Sequence, residues 1–304
     1  MPLPTVQRRL DALHQQSRIA AGSLIVTVFG DAVLPRGGAV WLGSLIALMQ
    51  TLGLNERLVR TSVFRLVKDE WLQTETQGRR ANYHLTATGQ RRFEDASRHI
   101  YAAQAPTWDH QWRMVMLVGE MDTRKREALR RALRWQGFGE LSPSNFVHPG
   151  ADLQESLNAL RSEGLAEFLP KLLPLMARNP LSGPSANDSA LVQNAWNLEL
   201  LAQDYSDFLS SYAPLLTELD DLDGEAAFVA RTLMIHDFRR ILLRDPELPA
   251  ELLPTKWPGQ QARDLCRFLY RGLLGASEAY LDQQLQLASG EVPEVSAPLS
   301  QRFA

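Results

Sequence analysis

The stretch between residues 55 and 90 constrains this chain most. On a helical wheel Val59, Val63, Leu66 and Val67 share one face, while Arg57, Arg60, Thr61, Arg65 and Lys68 share the other, with Phe64 among them. A helix divided in this way buries its apolar face against a support and leaves its basic face in water. Asn55 stands where an N-cap is needed, since its carboxamide oxygen can accept from the orphan N–H groups of the first turn. Residues 71–75 and 81–85 then read as short strands joined by Gln77-Gly78-Arg79-Arg80, turn chemistry with two cations at its tip. Upstream, residues 17–31 have helical apolar spacing and residues 35–38 break it. Residues 39–42 suit a short strand and residues 45–52 a helix that Ser44 can cap and Gly53 can end. Helix, short strand, helix, tight turn, helix and β-hairpin is the order of a winged helix-turn-helix.

A basic helix of this kind fits the major groove of DNA, which admits one α-helix and where the arginine fork can bond both acceptors of guanine. The candidate DNA contacts are Asn55, Arg57, Arg60, Thr61, Arg65 and Lys68 on the helix and Arg79 and Arg80 on the hairpin. Lys68 and the hairpin pair suit phosphate rather than bases. The alternative is a surface helix that is merely basic on its outer face. Phe64 is expected to pack on the body or on a dimer mate, and His84 to be a structural histidine within a strand. The overall net charge of −3 predicts no nucleic-acid partner, but its distribution does. Residues 1–53 carry +2, residues 54–93 carry +4, residues 94–180 balance, and residues 181–304 carry −9. A basic head on an acidic body fits a polyanion-binding module, ordinary surface variation being the alternative.

With 304 residues the chain is too long for one ordinary domain. It divides into a winged-helix part (1–96), a middle part (97–180), a helical C-terminal part (181–289) and a tail (290–304). In the middle part, strands are expected at 114–118, 145–148 and 165–169, and helices at 123–135 and 152–161. That alternation predicts a small ferredoxin-like α+β sandwich. Residues 179–185, rich in Pro, Gly and Ser, read as a linker or a surface loop. Helices are expected at 195–211, 226–243 and 261–285, with a proline-rich connection at 245–259, and the tail is expected to be disordered. The fold class is α+β, mostly helical. Apolar residues at 45% and charged residues at 22% fit a soluble globular protein. No apolar run is long enough to span a membrane, and residues 1–9 lack the apolar core of a signal peptide. Cys266 is the only cysteine, which excludes an intrachain disulfide. A cytoplasmic protein is expected.

Several strings resemble one family. They are residues 23–30, the helix with VRTSVFRL (59–66), GRRANYHLTATG (78–89), GFGELSPSNFVHP (137–149), NAWNLELLAQDYSDF (194–208) and IHDFRRILLRDPELPAELLPTKWPGQQA (235–262). Together they resemble the PaaX family of phenylacetic acid catabolon repressors over roughly residues 18–285, and the last string is far more specific than the winged-helix motif. The resemblance implies a homodimeric transcriptional repressor of aerobic phenylacetate degradation genes. It would bind a palindromic double-stranded operator and be released by phenylacetyl-CoA, with a middle part similar to Cas2 proteins. A regulator answering another aryl-CoA or a small acid is the alternative.

An effector with phosphates and an aromatic acyl end needs Arg or Lys and an aromatic-lined pocket. His236, Arg239 and Arg240 beside Trp257 form the preferred cluster, with an ion-pair network to Asp237, Asp245 or Glu247 as its alternative. Arg126, Arg130 and Arg134, one stripe at four-residue spacing, form a second, with a solvated helix face as its alternative. No cofactor, metal site or enzyme activity is expected. Cys266 lies in an apolar helical pattern, and His110, His148 and His236 lack metal-ligand spacing. Glu120 and Asp122 follow the first middle strand, where a Cas2-like metal-dependent nuclease would place a carboxylate, but helix capping explains Asp122 better.

Overall fold

The computed structural model describes residues 4–15, 21–101, 106–179, 187–295 and 299–303. Contacts group the chain into two compact units: Met1–Ala103 with Ser206–Arg240 and Gln260–Ala304, and Gln104–Tyr205 with Ile241–Gly259. The helical C-terminal third therefore supplies part of each unit, rather than standing as a third body.

The first unit opens with α1 (Pro4–His14) and α2 (Ala21–Val28). α2 runs on through a π turn and a 3-10 turn to Arg36, beyond the expected end at residue 31, and stops where Gly37 and Gly38 take positive φ. β1 (Ala39–Trp41), α3 (Leu42–Thr51), α4 (Glu56–Lys68), β2 (Leu72–Gln77), β3 (Arg80–Leu85) and α5 (Ala87–Ile100) follow. The antiparallel sheet has the order β1-β3-β2, so the β2–β3 hairpin is the wing. Ser44 was expected to cap α3. It lies inside that helix instead, where its hydroxyl donates to the carbonyl of Gln284 and accepts from the N–H of Gln286. A tertiary hydrogen bond has overridden a local one.

The second unit contains β4 (Trp112–Leu117), α6 (Thr123–Trp135), β5 (Gly139–Ser142), β6 (Asn145–His148), α7 (Leu153–Leu160) and β7 (Leu172–Ala177). The order β5-β6-β4-β7, antiparallel throughout, is the ferredoxin-like topology. The strand expected at 165–169 is a 3-10 turn (Ala166–Lys171), and the true strand starts at Leu172. Gly164 at φ 79 redirects the chain before that turn, and Pro174 sits harmlessly in β7 because β7 is an edge strand. Successive β-strand side chains face opposite sides. Val115 and Phe146 pack with Leu129 and Leu133 of α6. Trp112 and Val147 pack on the other side with Val192, Leu198, Leu248 and Leu252. That second layer comes from α8 (Asp188–Ala195), the start of α9 (Leu198–Tyr212) and the proline-rich segment. The helix expected over 195–211 is α9, which starts three residues later, after a break at Trp196, whose backbone is extended; α8 before the break was not expected. Residues 180–186, most of the expected linker, lie outside the described residues.

The remaining helices, α10 (Gly224–Leu242) and α11 (Gly259–Gln284), carry the core of the first unit. Cys266 is fully buried on α11, and burial pushes its thiol pKa up, as befits a small core residue. The expected disordered tail is docked where it is described: Phe303 is 1% exposed against Tyr101 and Tyr270. Arg302 reaches the carboxylate of Asp31 at 2.7 Å. The low apolar content of the tail misled because a few residues hold it: Phe303, Arg302, buried Leu299 and the Pro293 carbonyl, which accepts from Arg36. Among the described residues no helix is long and apolar enough to cross a membrane.

Asp31, 3% exposed, also accepts from Arg231 Nε at 2.7 Å, Tyr101 at 2.6 Å and Tyr270 at 3.0 Å. Asp31→Asn leaves buried Arg231 without its principal carboxylate. A loss of about 3–5 kcal/mol of unfolding free energy is expected, read by urea denaturation of the full chain.

Candidate nucleic-acid and effector sites

Helix α4 is set on its support by its own sequence. Asn55 caps it, its Oδ1 accepting from Leu58 N–H at 2.9 Å. Val59, Ser62 and Val63 are buried, and Gly53 at φ 78 makes the turn from α3. Arg57, Arg60, Thr61, Arg65 and Lys68 all face solvent. Arg60 is held by Glu56 at 2.7 Å, and the Thr61 hydroxyl donates to the carbonyl of Arg57 at 2.8 Å. Among the described residues Arg57, Arg65, Lys68 and Arg79 make no ion pair. Phe64 does not pack on the body as the first alternative held. It is 70% exposed in the middle of the basic face.

The wing turns at Gly78, whose φ of 62 with an ordinary φ at Arg79 suits a two-residue hairpin loop with glycine first. Both Arg79 and Arg80 are exposed at its tip. The Arg80 guanidinium lies 4.4 Å from the ring centroid of Trp41 on β1. This stacking partner escaped sequence reading, although an aromatic in the strand beside a hairpin is the available signal. His84 pairs across the sheet with Ala39 and Gln73. A basic helix and a basic-tipped hairpin on one folded support can present cations to two parts of a duplex.

The members of the preferred effector cluster fall in both units. His236 is buried on α10, its Nδ1 3.0 Å from Thr27 Oγ1 of α2, and burial lowers its pKa to about 4. Arg239 reaches Ser23 Oγ and Thr27 Oγ1 at 3.4 Å, and burial lowers its pKa too. Arg240 is exposed. Asp237, one expected partner, binds Arg9 and Tyr212. Trp257 belongs to the other unit, where it packs edge-on against Tyr205 at 5.8 Å. There it lines a cleft of about 930 Å3 together with Arg130 and Arg134 of the second constellation. Arg126, the third member of that stripe, turns back to the carbonyl of Met121. Sequence reading missed Glu140, which both Arg130 and Arg134 engage, because the pairing crosses from helix to strand. Asp122 caps α6 by accepting from Lys125 N–H at 2.9 Å, and the Glu120 carbonyl accepts from Lys171. Among the described residues no three His, Cys, Asp or Glu side chains group as metal ligands.

Three family descriptions match the chain in order: PaaX-like protein over residues 20–89, PaaX protein central Cas2-like domain over 105–171, and PaaX-like protein C-terminal domain over 196–283. The chain is 37% identical over 289 residues to transcriptional repressor PaaX of Escherichia coli (strain K12), covering 94% of this chain and 90% of that protein. A solved structure of an uncharacterized protein from Mycobacterium tuberculosis shares the fold, with a TM-score of 0.52 and 24% identity, covering 78% of this chain and 89% of that one.

Two outcomes are expected from this geometry. Arg65→Ala weakens binding to its preferred DNA by about 1–3 kcal/mol and relaxes base preference at one position, whereas Arg79→Ala flattens the salt slope by about one unit. Fluorescence anisotropy against a base-substitution and salt series reads both. For His236, whose folded pKa of about 4 lies below its ordinary 6.5, stability is full above pH 6.5 and is lost as pH falls toward 4. His236→Gln should remove about 2–3 kcal/mol of that pH-dependent loss, seen in urea midpoints collected from pH 7 to 4.

Proposed function

This chain belongs to the PaaX family, and from that premise we propose that it is a DNA-binding transcriptional repressor of aerobic phenylacetate degradation genes, released from its operator by phenylacetyl-CoA. The observation that carries the DNA half is the outward basic face of α4 beside the basic-tipped wing, with Arg57 and Arg65 free of ion pairs among the described residues. Arginines held on a rigid capped helix lose little on entering a groove, and they bond guanine in two places at once. The role is regulatory and not enzymatic, as the similarity to a transcriptional repressor supports.

The protein acts in the cytoplasm as a homodimer on a palindromic site, each protomer placing one α4 in the major groove of a half-site. Phenylacetyl-CoA lowers operator affinity by binding the DNA-free state more tightly, the only way a ligand can shift such an equilibrium. The effector is the thioester and not the free acid. Both coenzyme phosphates and an aryl group are then available for recognition.

The test is anisotropy of labelled DNA from upstream of the chain's own gene, titrated with full-length protein at several salt concentrations. Tight, salt-dependent binding that phenylacetyl-CoA reverses, and that phenylacetate and plain CoA leave intact, is the expected result. Binding that ignores the thioester but answers another acyl-CoA overturns the effector assignment alone. Absence of preference for any promoter fragment overturns the repressor reading.

A further inference from the structure

The cleft of the second unit joins two kinds of surface that no single stretch of sequence carries. Its lining includes Arg130 and Arg134, one turn apart on α6, with Glu140 on β5. It also includes Trp196, in the break between α8 and α9, and Lys256 and Trp257 of the proline-rich segment. Both indoles are held in place. Trp196 Nε1 donates to the carbonyl of Gly137 at 3.1 Å, and Trp257 meets Tyr205 edge-on with an interplanar angle of 77°. The volume of about 930 Å3 lies near the top of the ~300–1,000 Å3 range of ligand pockets. A free aromatic acid would leave most of that space to water.

Two carboxylates stand beside the two guanidiniums: Glu140 lies between them, and Glu127 pairs with Arg130 alone at 3.4 Å. Glu140 Oε2 lies 3.1 Å from Arg130 Nε and 2.8 Å from Arg134 Nη2. With Lys256 and Glu199 also in the lining, it carries one positive charge in excess. An arriving phosphate offers charge-assisted, forked hydrogen bonds to both guanidiniums, and most to Arg134, whose one carboxylate partner among the described residues is the shared Glu140. The fixed indoles offer flat apolar faces for a ring carried by the same molecule.

We infer that this cleft is the effector site, taking an aryl-CoA thioester with phosphate on Arg130, Arg134 and Lys256 and a planar ring of the ligand against Trp196 and Trp257. The inference rests on the effector reading proposed above and adds to it a location and a division of labour. Glu140 acts as the internal competitor of the phosphate, so its loss and the loss of an arginine have opposite effects.

The experiment is isothermal titration calorimetry of the full chain with phenylacetyl-CoA, plain CoA and phenylacetate, on the wild type, Arg134→Gln and Glu140→Gln. Glu140→Gln is isosteric, and Arg134→Gln shortens a side chain that is half exposed. Arg134→Gln is expected to weaken phenylacetyl-CoA binding about tenfold or more, since one charge-assisted hydrogen bond is lost. Glu140→Gln is expected to tighten it severalfold, and operator affinity without ligand is expected to stay within about twofold in both. Plain CoA should bind more weakly than the thioester and follow the same two trends, and phenylacetate should not bind. Wild-type affinity in both variants moves the effector elsewhere and overturns this inference while leaving the effector reading intact. Weakening in both variants shows a structural ion pair and overturns it as well. Absence of phenylacetyl-CoA binding to the wild type overturns the effector reading and the inference together.

Discussion

A single buried carboxylate organises the first unit. Asp31 sits where the continuation of α2 turns, and it receives Arg231 from α10, Arg302 from the tail, Tyr101 from the end of α5 and Tyr270 from α11. The two arginines hold its pKa below the ordinary carboxylate value against a burial that would raise it. Arg231 passes on to Glu278, and Glu278 with Asp282 holds Arg36. Such a network tolerates no missing member, because a buried charge without a partner is far more costly than a surface one. The winged helix is consequently built into α10, α11 and the tail.

That dependence has a use in a DNA-reading protein. Base recognition needs side chains held to a fraction of an ångström on a rigid element. Here the wing sheet is bound to a C-terminal strap, residues 286–288, by two hydrogen bonds: Trp41 N–H to the carbonyl of Gln286, and Ala288 N–H to the side chain of Asn82. The strap leaves Arg57, Arg65 and the wing tip in solvent. In the second unit the same C-terminal third covers the face of the ferredoxin-like sheet opposite α6 and α7, and so walls the cleft. One stretch of chain thus completes both units.

How much could be read beforehand depended on range. Periodicity and capping are local, so Val59 and Val63 against Arg57 and Arg65, the cap at Asn55, the hairpin turn at Gly78 and the cap at Asp122 were all legible. Ser44 was misread because its hydroxyl meets the carbonyl of Gln284, 240 residues away. The strand at 165–169 was misplaced because an apolar run says that a segment is buried, not whether it pairs. β4 decides that by pairing with residues 172–177. The tail looked disordered because composition cannot see that Arg302 meets Asp31.

The amino-acid sequence by itself determined the reading head: which helix is basic outward, what caps it, and which hairpin follows, since each of these is settled within a few residues. It also held the resemblance that the family matches bear out. Only the tertiary structure decided how the effector candidates sort. It set Trp257 in one cleft with Arg130, Arg134 and Trp196. The physical reason is that side chains distant in sequence share a site only when burial of the apolar faces beneath them has chosen which strand, helix and turn stand side by side.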